Sequence, residues 1–149
     1  YKGTGKIPVC LGPSSQDRAI IYSTIEKEGK YYNIATTHFT WTPNGSSSEE
    51  QIRDFKALIE ITNKFPKLIL CGDFNAPRGR ETFTKFTEHF VDNLPPEIES
   101  TVDPQLHRKP DLKLVVNTIF SKKYSVKNVR VVKGVSDHKA IIGEIECAQ

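Results

Sequence analysis

Apolar and polar positions change their period several times along the 149 residues, and each change marks an element. Two strand-like runs, Arg18 to Ile25 and Tyr31 to Phe39, flank the turn signal Glu28-Gly29-Lys30 and predict a β-hairpin with His38 at the end of its second strand. Thr42 to Ser48 is turn-rich. Ser48, with Gln51 three positions on, gives a capping-box start to a helix. Ile52, Phe55, Leu58, Ile59 and Ile61 then form one apolar stripe that runs to about Lys64, and Pro66 ends it. The run Lys67-Leu68-Ile69-Leu70 is short and turn-bounded, which predicts a buried strand delivering Asp73 and Asn75 to its carboxyl end, beside His38.

The second half reads differently. Arg80 to Phe90 predicts a short helix, and the spacing of Phe83, Phe86 and Phe90 is that of a buried face rather than of a base-stacking platform. From Asn93 to Pro110 four prolines and little apolar content predict a long connection of the kind that recognises substrate. His107, Arg108 and Lys109 lie in it, within reach of an anionic ligand, although a lone loop histidine reads more simply as solvated. Leu112 to Phe120, Ser125 to Val132 and Lys139 to Ile145 predict three closing strands, with Ser136-Asp137-His138 in the connection before the last.

Composition adds bounds. The length suits one domain with a real core, and no apolar run reaches the length of a membrane span. Residues 1–16, rich in Gly, Pro and Ser, read as a flexible lead-in or a cut end, with the folded part over 17–149. Cys10, Cys71 and Cys147 form an odd set without metal-ligand spacing, which points to a reducing, cytoplasmic compartment. A net charge of +3 says little alone. Lysines between Lys122 and Lys133 read as strand edges that discourage aggregation, whereas Arg78 and Arg80 follow the Asp73 loop and are candidates for binding substrate phosphate.

The chemistry concentrates in Cys71-Gly72-Asp73-Phe74-Asn75-Ala76-Pro77 and Ser136-Asp137-His138. A carboxylate such as Asp73 orients or deprotonates a water, or holds a divalent cation. The neutral amide of Asn75 donates to a phosphate oxygen that a carboxylate would repel. His138 moves a proton near neutral pH or stabilises anionic charge, and Asp137 is a hard oxygen ligand of the kind that Mg²⁺ and Mn²⁺ prefer. Taken singly, each string is an ordinary turn, core histidine or surface pair. Their occurrence in this order, each after a strand-like run, reverses that reading.

Gly-Asp-Phe-Asn at 72 to 75, Thr37-His38 closing an apolar stretch and Ser136-Asp137-His138 resemble the endonuclease/exonuclease/phosphatase superfamily, from about Arg18 to the C-terminus. The resemblance implies half of a four-layer αββα sandwich, an α/β fold of the α+β sandwich type with a mostly antiparallel or mixed sheet and two helices on one face. It implies that His38 contacts the scissile phosphate or protonates the leaving group, Asp73 positions the attacking water and Asn75 holds the phosphate. Asp137 then supports the site for Mg²⁺ or Mn²⁺, and His138 acts as base or phosphate stabiliser. Two departures stand out. The family's upstream Asn and metal-binding Glu have no counterpart here, and the sequence holds no Met, so the expectation is the C-terminal half of a longer domain whose apolar sheet is covered by the other half or by a second copy. The strand Leu114 to Phe120 carries Asn117 where the family has an Asp that holds the histidine matching His138. Two functions stay open: a metal-dependent hydrolase of phosphate esters, nucleic acid among the candidates, incomplete or weak as this fragment; and a catalytically inactive relative that binds a phosphate ligand or a partner.

Overall fold

A computed structural model describes residues 18–146. The expected lead-in over 1–16, and with it Cys10, lies outside the described residues, as does Cys147. Strands β1 (Ile20–Lys27) and β2 (Lys30–His38) form the expected hairpin. Glu28 and Gly29 connect them with φ of 54° and 71°, the left-handed pair whose twist matches that of two antiparallel strands.

Helix α1 (Glu49–Thr62) starts where the capping signal places it, the Ser48 side chain accepting from the Gln51 N–H at 3.1 Å. Only half of the capping box forms. The Gln51 side chain, fully buried, turns inward and donates to the carbonyls of Thr40 and Asn75, while its oxygen accepts from the Thr82 hydroxyl. Tertiary hydrogen bonds outcompete the local one. The chain then returns as β3 (Leu68–Asp73), parallel to β2, the arrangement that needs a helical crossover.

After helix α2 (Glu81–Thr87) come the two-residue strand β4 (Val91–Asp92), then β5 (Asn117–Lys122), β6 (Ser125–Val132) and β7 (Ala140–Glu146). The first five strands make a mixed sheet in the order β1-β2-β3-β5-β4, and β6 pairs with β7 alone. Strand alternation sorts the side chains. Ala35, Leu68, Leu70 and Phe120 share the face covered by α1 and α2, where Phe55, Phe74, Phe83, Phe86 and Phe90 complete the core. Phe86 meets Phe39, Phe55 and Phe74 edge-on at centroid distances of 5.3, 4.9 and 5.1 Å. The phenylalanine stripe is therefore core, as its spacing predicts. On the opposite face β7 lies over β5, a Cβ at Gly143 falling 3.3 Å from Ile119. Among the described residues the architecture is an α/β sandwich of seven strands in two sheets with two helices.

Two expectations need correction. The strand predicted over Leu112 to Phe120 begins only at Asn117. The carbonyls of Val115 and Val116 accept instead from the N–H groups of Arg78 and Phe74, so this stretch clamps the turn after β3 rather than extending the ladder. The connection from 93 to 110 is less irregular than its prolines suggest. Val102 makes an isolated antiparallel bridge to His138, and Thr101, Val102 and Asp103 are buried. No helix among the described residues is long and apolar enough to cross a membrane.

Gly72 sets a testable limit on this sheet. Its φ is 145°, and a Cβ there would lie 2.0 Å from the Thr37 carbonyl oxygen on the neighbouring strand. Gly72→Ala is expected to cost about 3 kcal/mol from backbone strain and overpacking. Urea unfolding reads this directly, and an unchanged midpoint contradicts the close approach.

Candidate active site

Three neighbouring strands bring the first site residues into one row. His38 ends β2 and pairs with Asp73 at the end of β3, which pairs in turn with Asn117 at the start of β5. Alternation puts all three on the face away from the helices. His138 joins them through the bridge to Val102. Its Nδ1 lies 2.7 Å from Asn117 Oδ1. An amide oxygen can only accept, so His138 donates from Nδ1 and turns Nε2 toward the site. That Nε2 is 4.0 Å from Asp73 Oδ2, and His38 Nε2 is 3.6 Å from the same oxygen.

The turn after β3 is built around Asp73. Its Oδ1 accepts from the Asn75 N–H at 2.9 Å, which leaves Oδ2 as the oxygen facing the two imidazoles. Asn75 sits at φ 48°, a left-handed conformation that Asn tolerates well. Its side-chain nitrogen gives one hydrogen to the Phe39 carbonyl at 2.8 Å, and the second remains for a ligand. Gln51 holds the Asn75 carbonyl from below. The left-handed turn is thus supported from the core rather than by its own residues alone.

These groups open into one cavity of about 590 Å³, lined by His38, Asp73, Asn75, Asp137 and His138 together with Trp41, His107 and Arg108. Every sequence-predicted catalytic or metal-ligating residue faces this cavity or, for Asn117, holds one that does. The two arginines do not line it. Arg78 pairs with Asp92 at 2.7 Å and donates to the carbonyls of Leu94 and Pro95, so its guanidinium is already committed to the chain after β4. Arg80 is exposed and donates to the Asn44 carbonyl. The expectation that Arg78 binds substrate gains no support from this geometry, because a guanidinium bound to carboxylate and carbonyls has few donors left for phosphate.

The structure adds residues to those that the sequence puts first. Trp41, the sole tryptophan of the chain, stands half exposed at the cavity. His107, expected to be solvated, is only partly exposed, and its ring centroid lies 6.1 Å from that of His138. Thr101, fully buried, accepts through its hydroxyl from the N–H groups of Val116 and Asn117, which fixes the residue that holds His138. A hydroxyl and two amides coming together over 15 residues leave no local signal to read.

Asp103 closes the same clasp. Its N–H donates to the Asp137 carbonyl, and its carboxylate accepts from Gly134 N–H at 2.7 Å and Gln105 N–H at 3.0 Å. Those two bonds, Gly134's first, hold its pKa below the ordinary value of 3.8 against the opposing effect of burial, with Lys139 and Lys133 assisting. A lowered folded-state pKa stabilises the protein above the unfolded-state value, and this contribution fades as pH falls through the folded-state value. Asp103→Asn is therefore expected to be less stable than the parent near neutral pH, with the gap narrowing at acid pH as the carboxylate takes up its proton. Urea midpoints at both pH values test it, and a gap independent of pH contradicts it. The Cys71 thiol on β3 is half-buried, and burial pushes its pKa up.

No protein-family model and no curated protein matches the sequence. Solved structures do match it. An endonuclease/exonuclease/phosphatase family protein from Leptotrichia buccalis is 26% identical with a TM-score of 0.60, over 85% of this chain and 53% of that one. The endonuclease/exonuclease/phosphatase from Bacteroides vulgatus superposes with a TM-score of 0.68 at 17% identity, over 88% of this chain and 56% of its own. A beta toxin variant from Staphylococcus aureus with bound magnesium ions gives a TM-score of 0.58 at 20% identity, over 85% and 57%. This chain therefore resembles the endonuclease/exonuclease/phosphatase superfamily and has its fold, spanning a little over half the length of the solved chains it matches.

Proposed function

We propose that the chain forms the C-terminal part of a divalent-metal-dependent phosphate-ester hydrolase, with its catalytic residues in the cavity described above. The observation that carries this reading is the convergence of His38, Asp73, Asn75 and His138 on one opening large enough for a phosphodiester. Asp73 Oδ2 orients and deprotonates the attacking water, since Oδ1 is taken by the Asn75 amide. The free Asn75 side-chain hydrogen donates to a non-bridging phosphate oxygen. His138, held by Asn117, stabilises the phosphate or accepts a proton at Nε2. His38 is exposed and free to protonate the leaving oxygen.

The donor set fits Mg²⁺ or Mn²⁺. The carboxylates of Asp73 and Asp137 and the amide oxygen of Asn75 are hard donors along one cavity, and Mg²⁺ commonly takes one or two carboxylates plus substrate phosphate. Asp137 would hold the ion, which when bound makes the phosphorus more electrophilic. Further ligands come from the rest of the domain. Cover for the sheet comes from there too, or from a second copy: Ile21 and Ile25, on the face away from the helices, are 57% and 47% exposed. The odd cysteine set supports a reducing compartment, the cytoplasm, as the place of action.

Asn117 supports a second reading, a catalytically inactive relative that binds a phosphate ligand or a partner, because a neutral amide cannot stabilise an imidazolium as a carboxylate does. A chromogenic phosphodiester separates the two. With the complete domain and Mg²⁺ or Mn²⁺, hydrolysis is expected, abolished by chelator and restored by the metal. Hydrolysis unaffected by chelator contradicts the metal role, and binding without hydrolysis supports the second reading.

A further inference from the structure

The loop that carries His107 is not placed by chance. Its turn is built on Asp103, whose carbonyl accepts from the N–H groups of His107 at 2.9 Å and Leu106 at 3.3 Å. Asp103 N–H in turn donates to the Asp137 carbonyl at 2.9 Å, and the adjacent Val102 bridges to His138. One backbone network thus positions His107, Asp137 and His138 against one another. A ligand atom from each lies within 4.8 Å of the other two.

Both rings are also held as metal-binding imidazoles usually are, with one nitrogen engaged and the other free. His138 gives its Nδ1–H to Asn117 Oδ1. His107 Nδ1 is 3.1 Å from the Lys109 carbonyl, an acceptor that suits the tautomer with its lone pair on Nε2. The same Nδ1 is 3.0 Å from the Lys109 N–H, so the loop can also hold the opposite tautomer, and a cation selects between them. Exposed Asp137 supplies the anionic oxygen.

We propose that His107, Asp137 and His138 form a binding site for a borderline transition-metal dication such as Zn²⁺, distinct in ligand chemistry from an oxygen-ligated Mg²⁺ site. Two imidazole nitrogens and one carboxylate suit Zn²⁺, which accepts three protein ligands and leaves a fourth position open. Mg²⁺ favours oxygen donors in near-octahedral geometry and gains little from such a set. Closed tetrahedral ligands stand roughly 3.4 Å apart, so the two rings as well as the exposed Asp137 carboxylate must draw in to close on an ion. Occupancy takes the His138 Nε2 lone pair and couples this dication to whatever His138 does in the cavity. The inference needs only these three side chains and stands whether or not the chain is part of a hydrolase.

Calorimetric titration of the chain with Zn²⁺ alone tests it, with Mg²⁺ titrated in parallel. One strong Zn²⁺ site is expected. His107→Ala should weaken it at least about tenfold, the size that even outer-shell changes at metal sites produce, and leave any Mg²⁺ binding unchanged. His107→Cys, which supplies another good zinc ligand, should restore it. Co²⁺ as a spectroscopic probe should show a thiolate charge-transfer band only in His107→Cys. Equal Zn²⁺ affinity in the parent and His107→Ala overturns the proposal, as does a thiolate band in the parent, which places the ion on a native cysteine.

Discussion

Asp73→Ala is expected to lower turnover on a phosphodiester by about 10³-fold, the middle of the range for losing a positioned general base. The side chain does two things at once, and a second variant separates them. Oδ1 caps the Asn75 N–H and so maintains the left-handed turn, while Oδ2 faces His38 and His138. Asp73→Asn keeps an oxygen for the cap but removes the charge and the basicity. It should preserve the urea midpoint and still lose nearly all of the activity. If Asp73→Asn retains parental turnover, Asp73 is a turn residue and not the base.

The second large effect has the opposite sign. Asn117→Asp is expected to raise turnover, by up to about 10⁴-fold if the metal carries none of the load, as judged from the reverse exchange in the serine-protease triad. The geometry is already in place. Asn117 Oδ1 sits 2.7 Å from His138 Nδ1, and the backbone of Asn117 is pinned by the Thr101 hydroxyl. A carboxylate oxygen at that position keeps the hydrogen bond and adds the charge that stabilises a protonated ring. A large gain marks a weakened enzyme. No gain, with phosphate binding retained, marks a binding module. The kcat of parent and variant on one substrate decides between them.

The contrast between what was and was not legible follows from the range of the interactions involved. The hairpin, α1 and β3 are written in local periodicity, and Ser48, Gly29 and Pro66 punctuate them at the right places. His38, Asp73 and His138 were readable because each ends or precedes a strand and carries distinctive chemistry. Gln51 shows the limit. Its position three residues after Ser48 signals a capping box, yet the side chain serves the Asn75 turn and α2 instead, because buried partners more than ten residues away offer more than a solvent-exposed cap.

Arg78 illustrates the same point from the opposite direction. Sequence placed it beside the site, but Asp92, on a strand of two residues with no periodicity of its own, claims its guanidinium. His107 reads as a solvated loop histidine because nothing near it in sequence reveals that Asp103 reaches Asp137 and Gly134. Such long-range backbone links leave no periodic trace, and they are what converts a proline-rich connection into one wall of the cavity.

The most direct test of the convergence is binding rather than turnover. Inorganic phosphate titrated into ¹⁵N-labelled protein, with side-chain NMR of His38, His138 and Asn75 as the readout, asks whether these groups share one ligand. The signals of all three residues are expected to shift along a single binding curve, and Asn75→Ala should weaken that curve for both histidines together. Separate curves for His38 and His138, or a response from only one of them, would contradict a common phosphate pocket.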